Sequence, residues 1–164
     1  MRTLMNFDGD PSEPRWQAVN DDVMGGRSSG GSLIEDGELR FTGTLSLENN
    51  GGFSWVRTED HAVDLSNVTD VVLRVRGDGR RYQLRLGTDA RVRGIAVSYG
   101  AEFTAPAGQW AVVRVSLDAL QPSVRGTVLD GPPLDRAKVR QIGLLIADKR
   151  AGPFALAVDW IGVE

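Results

Sequence analysis

Apolar side chains recur at every second position in short runs along much of this chain. Val71, Leu73 and Val75 alternate with Val72, Arg74 and Arg76, and Tyr82, Leu84 and Leu86 alternate with Gln83 and Arg85. Successive side chains of a strand point to opposite sides, so this rhythm predicts strands with one buried face. Leu39 and Phe41 around Arg40, and Val113, Val115 and Leu117 around Arg114 and Ser116, follow the same rule. Ile142 to Ala147 is nearly all apolar, as a central strand would be. Phe154, Leu156, Val158 and Trp160 line one side of a closing strand, and Asp159 stands out in the small-residue row opposite.

Turn residues punctuate these runs at Asp8 to Pro11, Gly25-Gly26, Asp36-Gly37, Asn49 to Gly52, Gly77 to Gly79, Pro106 to Gly108, Asp130 to Pro133 and Gly152-Pro153. Helical periodicity is confined to single turns at Leu117 to Leu120 and Asp135 to Val139. Many short strands between tight turns predict an all-β, antiparallel β-sandwich. Within it, residues 71–86 read as a hairpin through Gly77 to Arg80, with Arg74, Arg76 and Arg85 on one face and Arg57 beside them if its strand lies alongside. No repeat, linker or low-complexity tract divides the chain, so residues 1–164 read as a single domain.

Composition narrows the chemistry. With no cysteine, disulfides, thiolate nucleophiles and cysteine-ligated metals are excluded, and His61 is the sole imidazole. A net charge of −3 gives no general attraction to nucleic acid. The chain has no window near the roughly 18 apolar residues of a spanning helix and begins without a signal or transit pattern, so a cytoplasmic protein is expected.

Two stretches are more specific than generic strand and turn: Trp16 to Ser28 (WQAVNDDVMGGRS) and Phe41 to Arg57 (FTGTLSLENNGGFSWVR). With Gly77-Asp-Gly-Arg-Arg-Tyr, Trp110, Arg125-Gly126, the Ile142 run and the closing strand, they resemble the complex I intermediate-associated protein 30 family over almost the whole chain. The resemblance implies a galactose-binding-like jelly roll, shaped like many carbohydrate-binding modules. It also implies a non-catalytic chaperone of an assembly intermediate of respiratory complex I, with a protein partner. The chain looks like a bare, bacterial-like version, without transit peptide or long N-terminal extension.

Two glycine-rich loops are the candidate recognition elements. Asn20, Asp21, Asp22, Met24, Gly25, Gly26, Arg27 and Ser28 combine carboxylates with a flexible turn that lets a ligand approach backbone N–H groups. The plainer alternative is a tight connection whose aspartates accept backbone hydrogen bonds. Glu48, Asn49, Asn50 and Phe53 offer amides and an aromatic platform to sugar hydroxyls or peptide groups, or else form a glycine-assisted hairpin turn or bulge. Arg57 and Arg76 could receive acidic groups of a partner, or be solvated and locally paired. The four tryptophans read as core and core-edge residues. A carbohydrate or other small ligand on a concave sheet face is the alternative function, and a hydrolase using Asp21, Asp22 or Glu48 is the weakest.

No cofactor is expected. Asn6 and Asp8, with Asp159, could hold a structural calcium, although Pro11 and Gln17 stand where an EF-hand needs glycine and glutamate. An arginine or backbone donors would serve Asp159 equally well.

Overall fold

The structure, a computed structural model, describes residues 1–21 and 25–164, without the side chain of Asn50. Its strands in chain order are β1 (Arg2–Met5), β2 (Trp16–Asn20), β3 (Ser29–Glu35), β4 (Glu38–Leu45), β5 (Ser54–Thr58), β6 (Asp70–Arg76) and β7 (Arg81–Val92). There follow β8 (Ile95–Thr104), β9 (Trp110–Ser116), β10 (Gln121–Val124), β11 (Thr127–Val128), β12 (Gln141–Ile146) and β13 (Gly152–Val163). Two antiparallel sheets result. One has the order β3-β4-β13-β6-β9, with β1 also paired to β13, and the other β11-β10-β8-β7-β12-β5-β2.

The alternating apolar rows make the space between the sheets. Leu39, Phe41, Val71, Leu73, Val75, Phe154, Leu156 and Val158 from the first sheet join Val56, Tyr82, Leu84, Leu86, Val97, Tyr99, Ile142 and Leu144 from the second in one buried cluster. Aromatic edges tie the layers together: Phe41 lies 4.9 Å from Phe154 in its own sheet and 6.2 Å from Tyr82 in the other, ring centre to ring centre. The single helical turns fall at Leu117–Ala119, capped by the Ser116 side chain, and at Arg136–Lys138, capped by Asp135.

Three sequence expectations require correction. Residues 71–86 are not a hairpin: β6 pairs with β13 and β9, whereas β7 pairs with β8 and β12. Gly77 to Arg80 instead carries the chain from one sheet to the other, so Arg74 and Arg76 lie on one outer face and Arg85 on the opposite one. The cause is Arg80, which turns inward and donates to both oxygens of buried Asp148 at 2.7 and 2.9 Å and to the carbonyls of Arg150, Gly152 and Pro153. Second, Glu48–Asn50 forms a 3-10 turn between β4 and β5, which belong to different sheets, so it is a crossover and no hairpin. Third, a register shift between Val158 and Trp160 moves the buried row of β13 from even to odd positions, so that Ile161 and Val163 are buried and Trp160 is half-exposed.

Candidate functional site

The two glycine-rich loops meet, and the side chain that joins them is Asp21. Its carboxylate is fully buried and accepts the backbone N–H of Ser28 at 2.9 Å on one oxygen. The other oxygen accepts Gly52 at 2.6 Å and Phe53 at 3.2 Å. Gly26 and Gly51 close over it from either side; a Cβ on Gly51 would stand 2.6 Å from the carboxylate, so only glycine fits there. Burial alone would raise the pKa of Asp21, but the hydrogen bonds from the Gly52, Ser28 and Phe53 backbone N–H groups carry it below the usual carboxylate value.

The neighbouring groups are likewise engaged. Ser28 Oγ donates to the Ser46 carbonyl and accepts the Ser46 N–H, while Asn20 bonds the Gly30 carbonyl and accepts the Ser54 hydroxyl. Asn49 takes the left-handed conformation at φ 56°, as an asparagine in a turn can. Exposed at this junction are Gly25, Arg27, Glu48, Asn49 and Leu47, with Arg27 and Glu48 paired at 3.4 Å. Phe53 is half-buried. Asp22 and Met24 lie outside the described residues.

A second arrangement, on the outer face of the seven-stranded sheet, was legible only in fragments. Gly143 of β12 is the cross-strand partner of both Arg57 and Arg85, and Arg85 in turn faces Gly100 of β8. The row thus reads Arg57, Gly143, Arg85, Gly100. Each glycine makes room for a neighbour laid flat: a Cβ at Gly143 would stand 2.7 Å from Trp55 Nε1, and one at Gly100 would occupy the Arg85 guanidinium. Arg57 covers the Trp55 ring at 4.5 Å from its centre. Arg85 donates to Ser98 at 3.0 Å, Gln83 at 2.8 Å and Ser123 at 2.7 Å, all neutral acceptors. Burial pushes its guanidinium down to about 10.

The remaining candidates fall elsewhere. Arg76 and Arg74 stack on Trp110, each 4.7 Å from the ring centre, on the other sheet's outer face, and Arg76 lines a shallow pocket with Thr42, Gly77 and Ala157. The arginines expected on one face are therefore split, with Arg57 joining Arg85 alone. Asp159 is engaged by Arg74 at 2.7 Å. Asn6 and Asp8 accept the N–H groups of Asp8 and Asp10 in successive turns. Among the described residues no group of three or more acidic or histidine side chains is arranged to hold a metal ion. Trp16 packs against the core as expected, but Trp55 and Trp110 lie under arginines on outer faces. The signal for Trp55 was its place in the sequence, one residue out of phase with the inward Val56.

Comparison with known proteins bears on the chain's family and fold. The family profile described as complex I intermediate-associated protein 30 matches residues 5–158. The mitochondrial complex I intermediate-associated protein 30 of Mus musculus is 28% identical over 99% of this chain and 56% of its own length. The protein of the same name from Drosophila melanogaster is 26% identical over 79% of this chain and 45% of its own. The chain spans about half the length of the curated relatives it matches. Among solved structures, the family 11 carbohydrate-binding module of a cellulosomal cellulase of Clostridium thermocellum superposes with a TM-score of 0.71 at 13% identity, covering 99% of this chain and 93% of that one. A family 30 carbohydrate-binding module gives 0.57 at 16% identity, covering 85% and 92%. These likenesses show the jelly-roll fold. Among the described residues no helix is long and apolar enough to cross a membrane.

Proposed function

This chain belongs to the complex I intermediate-associated protein 30 family, and on that premise we propose that it acts by binding a polypeptide of a respiratory complex I assembly intermediate. The observation that carries the proposal is the family profile, which covers both glycine-rich loops, both sheets and nearly every strand. The joined loops support it: Asp21 fixes their shape while Arg27, Leu47, Glu48 and Asn49 remain exposed for contact, and Phe53 stands half-buried behind them. The reading assigns no catalytic step to these carboxylates, because Asp21 is held by backbone N–H groups and Glu48 by Arg27.

The carbohydrate alternative has the fold on its side, since one neighbouring structure is a family 11 module in complex with a mixed-linked tetrasaccharide. Against it, Arg57 covers the face of Trp55 that a sugar would stack on, and a neutral sugar offers no charge to draw the arginine away. Affinity purification of the tagged chain from its native host is the test. Reproducible recovery of complex I subunits, reduced by charge reversal at Arg27 and Glu48, is expected. Absence of any complex I subunit from repeated purifications would overturn the assignment.

A further inference from the structure

On the outer face of the seven-stranded sheet, the two arginines that flank Gly143, Arg57 and Arg85, are neutralised by no described carboxylate. Every ion pair among the described residues involves other arginines, including Arg81 with Glu102 at 3.4 Å on this same face. A guanidinium has five N–H donors. Arg85 uses three, on Ser98, Gln83 and Ser123, and leaves one on Nη1 and one on Nη2. Trp55 Nε1 and Arg57 Nε are buried donors without an acceptor. Donors lacking acceptors thus gather around Gly143, whose missing side chain lets the Trp55 indole lie against the backbone beside Arg57.

We propose that this face is a carboxylate-recognition site, where Arg85 and Arg57 receive an acidic, extended segment of a partner polypeptide. The carboxylate follows from the face itself, and the polypeptide rests on the assembly reading above. An ionised carboxylate only accepts hydrogen bonds, and it matches the guanidinium fork. Two strand spacings separate Arg57 from Arg85, about 10 Å between Cα atoms. Same-side residues of an extended peptide stand about 7 Å apart, within reach of two long flexible arginines. The pair Arg57 and Arg85, on a chain of net charge −3, fits one or two carboxylates and is too short a run of cations to track a phosphate backbone. Arg57 would leave the Trp55 ring to meet the ligand, so the indole reports occupancy.

The test is a titration of the nitrogen-15-labelled full chain, observed by NMR, with an acetylated and amidated tetraglutamate peptide and with its tetraglutamine counterpart. Expected is a saturable shift of the Trp55 indole N–H, assigned with Trp55→Phe, and of the Arg85 Nε–H, for the glutamate peptide alone and weakened by salt. Arg85→Met and Arg57→Gln should each weaken binding at least tenfold. The melting temperature of Arg85→Met should stay level or rise, because it removes an uncompensated cation; a structural arginine would lower it. Equal shifts with tetraglutamine, shifts confined to Trp110, stronger binding by an oligouronate than by the peptide, or wild-type affinity in Arg57→Gln would each overturn the proposal. If peptide binding holds while the host purification yields no complex I subunit, the assembly reading alone fails. If complex I subunits are recovered equally by Arg85→Met, this face is not the partner site and the assembly reading stands.

Discussion

Replacing Asp21 by asparagine tests whether the two loops are held by charge or only by shape. The substitution keeps the size of the side chain but converts one oxygen into a donor. Either Ser28 N–H on one side, or the Gly52 and Phe53 N–H groups on the other, then faces an N–H instead of an acceptor. Each buried donor left unpaired costs about 1–3 kcal/mol, so the variant should lose about 3 kcal/mol. For a domain of this size that is a fall of roughly 6–12 °C in melting temperature. The pH dependence has a definite sign. The folded pKa of Asp21 is depressed, so its contribution is complete above the unfolded value of about 3.9 and is lost as the pH drops through the lower folded value. Urea unfolding followed by circular dichroism should therefore give a constant gap between wild type and variant from pH 5 to 8, narrowing below pH 4. An unchanged midpoint at pH 7, or a gap that persists undiminished to pH 3, would refute the argument.

Other substitutions separate structural from free groups. Arg80→Met strips buried Asp148 of its partner and releases three loop carbonyls, so urea titration should show a loss of about 3–5 kcal/mol. Gly143→Ala drives a methyl against Trp55 Nε1 and the Val56 carbonyl, 2.7 and 2.9 Å away, and should cost about 1–3 kcal/mol and shift tryptophan emission. Gly31→Ala, with open space around it, should stay within about 0.5 kcal/mol in the same assay. Arg27→Ala removes an ion pair whose side chains are 68% and 70% exposed; thermal unfolding should change by less than about 1 kcal/mol, so any loss of partner capture would report contact and not folding.

The inward rows of the sandwich were readable because period-two alternation states which side chains face the core. It does not state which strand lies next door. Val71 to Arg76 and Tyr82 to Leu86 carry equally good patterns, and a four-residue connection serves a hairpin or a crossover alike; the inward turn of Arg80 decides it, and its partner Asp148 is 68 residues away. The bulge at Asp159 was hidden for a related reason. Trp160, Ile161 and Val163 are all apolar, so either phase satisfies the pattern; the shift leaves Asp159 on Arg74, turns Trp160 outward and brings Ile161 in. In the loops, glycine and aspartate signalled a tight connection, and Asp21 serves it from both sides. Of the outer-face row only Arg57 and Arg85 were legible, because Gly143 and Gly100 acquire meaning only from cross-strand register.

Arg80 and Arg85 show how the same residue type is put to different use five positions apart. Arg80 leaves the turn at Asp78 and enters a cage made for it, with a carboxylate taken at both oxygens and carbonyls on its other donors, so its pKa is raised above the ordinary value. Arg85 is laid over Gly100 among hydroxyls and an amide, and its pKa falls because burial is not offset by any negative charge. Stability alone favours the first arrangement and disfavours the second, since a desolvated cation without a counter-charge raises the free energy of the folded state. A methionine at position 85 would fill the same space without that cost. What an apolar side chain could not supply is a fixed, oriented fork held in place by Ser98, Gln83 and Ser123 before anything binds. Pre-organisation of this kind lowers the entropy lost on association, and it has value only when an acceptor arrives from outside the chain.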